Sequence, residues 1–182
     1  MLALIVGAGL LAIWLARPDP PVPAGAASDP PAGVPDRPAD AQQLTVRYVY
    51  DGDTLQLQAA RPGTYVTTTA KIRVRLIGID APEMRPTPEC YGPEATARLR
   101  ELAGPGSRVW VAPDQDSWDR YQRRLFFVWT ADGRLLNYDL VAEGYADAIR
   151  VRPNVTYWPL LRQAAADAKD DRRGLWGACP VR

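Results

Sequence analysis

Three carboxylates stand where apolar stretches end: Asp53 in Asp51-Gly52-Asp53-Thr54, and Asp80 and Glu83 in Asp80-Ala81-Pro82-Glu83. Clustered carboxylates without nitrogen or sulfur ligands beside them suit a hard cation such as calcium or magnesium. Arginines accompany them. Arg75 lies on the run that ends at Asp80, and Arg123 and Arg124 open a later apolar run. A guanidinium presents a planar fork that matches phosphate oxygens. Taken singly these residues have ordinary explanations, since Asp-Gly-Asp suits any hairpin turn and strands commonly carry arginine outward. The alternating ligands and terminal glutamate of an EF-hand loop are absent.

What is missing narrows the chemistry further. The 182 residues contain no histidine and two cysteines. Histidine-based acid–base catalysis, Ser-His and Cys-His nucleophiles, and histidine or Cys₄ zinc sites are therefore excluded. Catalysis must rest on carboxylates, arginines, hydroxyls or an oxygen-bound metal. The formal charge is only +1, so net charge names no partner. Basic residues are almost all arginine, with Lys71 and Lys169 the exceptions.

The elements that position these groups follow from composition. Residues 1–16 are almost continuously apolar, shorter than the ~20 residues that span a bilayer as a helix. They lack the basic start of a signal peptide. The expectation is an export signal or a membrane anchor, with the rest of the chain outside the cytoplasm. Residues 17–43 hold Pro18 through Pro38 interleaved with Ala, Gly and Asp, a composition that cannot pack and stays extended. The folded part is expected over residues 44–182, a length sufficient for one well-buried domain.

Within it, residues 44–50 alternate as a half-buried strand, and 51–54 form a hairpin turn in which Gly52 supplies an unusual dihedral. Residues 55–58 return, and 72–79 form a third strand, giving a meander. Pro93 begins a helix that reaches Leu102 and stops at Gly104-Pro105-Gly106. Strands follow at 109–111 and 123–129. Asn137 is placed to cap a short helix ending at Gly144, and 156–173 reads as a last helix. Five strands with a helix after the third, and about three helices in all, predict an α+β chain built on a five-stranded, partly open OB-type barrel. Strands and helices that do not alternate as βαβ units argue against a doubly wound sheet.

The linked stretches Asp51-Gly52-Asp53-Thr54, Arg75 to Glu83, Tyr91-Gly92-Pro93-Glu94-Ala95 and Asp119-Arg120-Tyr121-Gln122-Arg123 closely resemble the staphylococcal nuclease (thermonuclease) family. Ala131-Asp132-Gly133, Leu140 to Gly144 and Gly174-Leu175-Trp176 continue the match in order. The resemblance implies an OB barrel and a calcium-dependent phosphodiesterase, an endonuclease acting on DNA and RNA as a monomer. It assigns calcium to Asp53, Asp80 and the backbone carbonyl of Ala81. Glu83 matches the base that activates water, and Arg75 and Arg123 match the two phosphate-binding arginines. It further implies a 5′-oxygen leaving group and 3′-phosphate products.

The match has departures. Gln122 stands where a glycine commonly precedes the second arginine. The loop from Glu83 to Tyr91 is shorter than in the family prototype and the 60–69 loop longer. Arginines occupy the region of residues 148–153, where the prototype has tyrosines beside the base. Cys90 and Cys179 have no prototype counterpart, and in an exported protein an even pair suggests a disulfide. Two separate buried thiols are the alternative. A non-catalytic OB module that binds nucleic acid or protein is the competing function, although such modules typically lose the carboxylates and arginines kept here.

Overall fold

The computed structural model describes residues 33–180. The expected signal or anchor at 1–16, and the extended segment as far as residue 32, lie outside the described residues. No helix among the described residues is long and apolar enough to cross a membrane.

The strands β1 (Gln42–Val49), β2 (Thr54–Gln58) and β3 (Lys71–Leu76) form the expected meander. Next come β4 (Ile79–Asp80), α1 (Gly92–Leu102), β5 (Arg108–Ala112) and β6 (Arg124–Trp129). The chain ends with α2 (Leu136–Ala142), β7 (Asp147–Ala148), α3 (Trp158–Asp170) and a single turn, α4 (Leu175–Ala178). Strands pair in the order β1-β2-β3-β6-β5, and β5 returns to β1, so the barrel is closed. The β3–β6 pair is parallel, with Arg75 opposite Leu125, and the other barrel pairs are antiparallel. Closure removes the exposed edges an open sheet would leave. Fully buried Val46, Leu55, Leu57, Val74, Val111 and Phe126 fill the interior. Outside it, α1 packs on β1 and α2 on β6, α1 and α2 meet, and α3 packs on α2 and on β7.

Four local expectations change. The run 72–79 is two strands, because the chain turns at Ile77-Gly78 with Gly78 at φ +77°. A side chain there would adopt the disfavoured left-handed region. After this turn Ile79 and Asp80 leave the barrel and pair with Ala148 and Asp147. Gly52 does not have a positive φ. Its role is close approach, since a Cβ would lie 2.6 Å from that of Ala81 and 2.7 Å from that of Ala95.

Asn137 is not a cap. It lies within α2, fully buried, where its Nδ2 donates to the Ile77 carbonyl at 2.8 Å and its Oδ1 accepts the Val128 N–H at 3.0 Å. The alternation in β1 also fails at Arg47, where the register against β2 slips by one residue. Leu44, Val46 and Val49 point inward, while Arg47 and Tyr48 are both exposed. A β-bulge has this effect, re-aiming the side chains that follow it.

The barrel also holds chain ahead of β1, which itself starts two residues before 44. The Trp129 Nε1 donates to the Pro35 carbonyl at 3.2 Å, and the Arg37 guanidinium lies 4.3 Å from the Trp110 ring centre.

Candidate functional site

The β1–β2 turn, the end of β3 and the segment after β4 meet at one end of the barrel. The turn carries Asp53, which is buried at 4 % exposure. Its Oδ1 accepts the Thr54 hydroxyl at 3.0 Å and its Oδ2 the Ala81 N–H at 2.8 Å. Thus the hairpin is fastened directly to the Asp80–Glu83 segment. The Arg75 guanidinium bridges the two, pairing through Nη1 with Asp53 and through Nη2 with Asp80 Oδ1 at 2.8 Å.

The partners differ in exposure. The Arg75 and Asp53 side chains are nearly buried, whereas Asp80 is about half exposed. Burial pulls the Arg75 guanidinium below its ordinary pKa, Asp80 opposes that pull, and the charge of Arg123 adds to it. A buried charge is tolerated only when paired, so this triad constrains all three residues.

Glu83 follows Pro82 on an exposed loop. Partial removal from water raises its pKa, the charge of Asp51 raises it further, and Arg75 opposes both. The loop beyond it closes on itself. The Glu89 N–H donates to the Glu83 carbonyl at 2.8 Å, and the Glu83 N–H donates to Glu89 Oε2 at 3.1 Å. Its far end is anchored covalently, since Cys90 and Cys179 form a disulfide.

Arg123 precedes β6 by one residue, in the turn that Asp119 organises. The Asp119 Oδ1 accepts the N–H groups of Tyr121 at 2.9 Å and Arg123 at 2.8 Å, while Oδ2 accepts the Arg123 Nε at 2.6 Å. Burial works to raise the Asp119 pKa, but the backbone N–H and guanidinium of Arg123 together hold it below the ordinary value. Gln122 occupies the left-handed region at φ +59°. The glycine-like geometry of this turn therefore survives the glutamine.

Arg75 and Arg123 line one pocket of about 500 Å³. Ile149, Val151, Arg152 and Pro153 form part of its wall, so the region expected to lack the prototype's tyrosines does lie beside the site. Aromatic faces come from elsewhere. Trp118 and Tyr121 also line the pocket, and both are exposed, at 53 % and 63 %. Arg124 stacks on Trp118 at 4.6 Å. Neither Trp118 nor the double role of Asp119 was singled out from sequence. A tryptophan and an aspartate inside a polar loop gave no periodic signal, although Asp119 lay inside a matched motif.

All the expected site residues thus fall at one end of the barrel. Asp53, Asp80 and Arg75 touch directly, Ala81 joins through its N–H, Glu83 lies within their field, and Arg123 shares the pocket of Arg75. Among the described residues no three His, Cys, Asp or Glu side chains form a metal cluster. A metal here would rest on two carboxylates and backbone oxygen. That all-oxygen set fits a hard cation, and the position already stabilises positive charge in the form of Arg75.

A closed OB-type barrel with three carboxylates, one of them buried, and two arginines at one end defines the class. Residues 73–178 match the family described as "Staphylococcal nuclease homologue", and the chain belongs to that family. It is 34 % identical over 138 residues to the thermonuclease of Staphylococcus intermedius, covering 74 % of this chain and 76 % of that one. It is 31 % identical over 138 residues to endonuclease YhcR of Bacillus subtilis strain 168, covering 70 % of this chain but spanning only 11 % of that larger protein. An uncharacterized endonuclease of Escherichia coli O157:H7 is 34 % identical over 144 residues, covering 79 % of this chain and 82 % of that one.

Proposed function

We propose that the chain is a calcium-dependent nuclease that hydrolyses the phosphodiester bonds of DNA and RNA. The observation that carries this reading is the Arg75 fork held between Asp53 and Asp80, with Arg123 in the same pocket. Two guanidinium groups and a pair of hard-ion carboxylates at one mouth suit a substrate with anionic oxygens.

Asp53, Asp80 and the Ala81 carbonyl would hold calcium. Bound there, the ion supplies Lewis-acid stabilisation of the phosphoryl oxygens. The rest falls to the protein's own side chains. Arg75 and Arg123 orient the phosphodiester and stabilise the charge that grows on it during in-line attack, usually the largest catalytic contribution. Glu83, its pKa raised by partial burial and by Asp51, is a better proton acceptor than an ordinary surface carboxylate and activates the attacking water. The water oxygen bonds to phosphorus as its proton moves to the Glu83 carboxylate, and the P–O5′ bond breaks; the departing 5′-oxygen takes a proton from solvent, leaving a 5′-hydroxyl and a 3′-phosphate. Trp118 and Tyr121 offer faces on which a base can stack. The enzyme acts as a monomer outside the cytoplasm, secreted or tethered through its N-terminal segment. The Cys90–Cys179 bond supports an oxidising compartment.

Cleavage of single-stranded DNA, measured with calcium and with EGTA, tests the reading. Glu83→Gln is expected to lower turnover about 10²- to 10⁴-fold while binding survives. Full activity in that variant removes Glu83 from the mechanism, and full activity in EGTA removes calcium. No cleavage by the wild-type chain would favour the non-catalytic binding module.

A further inference from the structure

A second groove of about 480 Å³ adjoins the loop that carries Glu83 and shares no lining residue with the pocket of Arg75 and Arg123. One wall is Tyr48 and Tyr50 of the β1 end. The lining also includes Arg85 and Pro86, just beyond Glu83, and Arg100 of α1. Strict alternation would have buried both tyrosines with Leu44 and Val46. The bulge at Arg47 turns them out, leaving Tyr48 half exposed. Their rings meet edge to face at 5.0 Å, and Arg73 covers Tyr50 at 4.3 Å. Tyr50 is further fixed by Gln56, whose Nε2 donates to its hydroxyl at 3.1 Å. No acidic residue lines the groove, and Arg100 makes no salt bridge among the described residues.

We propose that this groove is a second strand-binding subsite, taking the part of a single-stranded nucleic acid that extends beyond the scissile phosphate on the Glu83 side. The inference rests on the nuclease reading of the neighbouring site. Aromatic faces that accept any base, beside arginines that follow the backbone, are what sequence-tolerant single-strand binding requires. The chain path supports the position. Tyr50 immediately precedes the Asp51–Asp53 turn, and Arg85 lies two residues after Glu83. A strand leaving the carboxylates therefore meets Tyr50 and Arg85 first. Tyr48 presents the exposed stacking face, and Arg100 supplies charge from the helix.

The full chain is titrated in EGTA, where cleavage is blocked, with fluorescein-labelled dinucleotide pdTpdT and with dT12. Fluorescence anisotropy reads binding. The wild type is expected to bind dT12 more tightly, and Tyr48→Ala to lose at least about five-fold on dT12 with no change on the dinucleotide. Tyr48→Phe, which keeps the ring, retains wild-type affinity. Arg100→Gln reduces the slope of log affinity against log salt on dT12 by about 0.7. It also serves as the second variant should Tyr48→Ala fold poorly by circular dichroism. The subsite is overturned if Tyr48→Ala and Arg100→Gln bind dT12 as the wild type does, or lose equally on both ligands. If these differences appear but calcium elicits no cleavage from the wild type, the groove stands and the nuclease reading fails.

Discussion

The carboxylate of Asp119 has two tasks that two substitutions can separate. Oδ1 holds the turn by accepting two backbone N–H groups, and Oδ2 holds the Arg123 guanidinium through Nε. The Asp119 and Arg123 side chains are only 15 % and 24 % exposed, so solvent screens the pair weakly. Asp119→Asn keeps a carbonyl oxygen for the turn but offers Arg123 an amide in place of an anion. It forfeits one charge-assisted hydrogen bond, worth about 2 kcal/mol. Asp119→Ala loses the turn bonds as well, at about 1 kcal/mol each, for a total near 4 kcal/mol. Urea unfolding should rank wild type above Asn above Ala by those steps. Turnover answers the other half. An arginine free to shift by about 1 Å costs about 10²-fold in kcat/KM, and Asp119→Asn should show most of that loss. The sign with pH follows from the depressed Asp119 pKa. The carboxylate's contribution is complete above the ordinary 3.8 and is lost as pH falls through the folded value. The wild-type advantage over Asp119→Asn therefore shrinks only in acid. Equal stability of the Asn and Ala variants would refute the turn role, and wild-type kcat/KM in Asp119→Asn would refute the positioning of Arg123.

Three further outcomes are expected from residues outside the pocket. Burial raises the Asp139 pKa to about 6 even though Arg134 lies 2.9 Å away. The folded state then holds the proton more tightly than the unfolded state, so stability falls by about 3 kcal/mol as pH rises from about 4 to about 6. Asp139→Asn should flatten that slope in urea unfolding across the range. Asn137→Ala strands the buried Val128 N–H and Ile77 carbonyl and should cost about 3 kcal/mol by the same assay. Reducing the Cys90–Cys179 bond, which closes a separation of 89 residues, should lower stability by about 4–5 kcal/mol in thermal unfolding with and without reductant.

The parts of this molecule legible in the sequence are those whose information is local. A proline at the first turn of α1, the meander of β1 to β3 and the short stretches around Asp53, Asp80 and Arg123 each depend on a few adjacent residues. The parts that were not legible depend on a partner across the fold. Asn137 looks like a cap because helix starts favour asparagine, yet its two bonds reach a strand nine residues away and a turn sixty residues away. Gly78 sits in a run that reads as one strand, and only the pairing of Ile79 and Asp80 with the short β7 shows why the run must turn there.

The bulge at Arg47 is the sharpest case. Alternation assigns Tyr48 and Tyr50 to the core because it assumes one residue for one register step. Whether a step is skipped is decided between two strands, by how β1 must bend to meet both β2 and β5 in a closed barrel. The consequence is chemical as well as geometric. Without the slip, two aromatic rings would add to the barrel interior, and the turn carrying Asp53 would leave the strand one residue out of phase. With it, Val49 fills the core position, Asp53 turns in toward Arg75 and Ala81, and the tyrosines stand outside beside the Glu83 loop. One extra residue thus sets both the phase of the carboxylate and the face of the groove, which ties the two pockets to a single feature of β1.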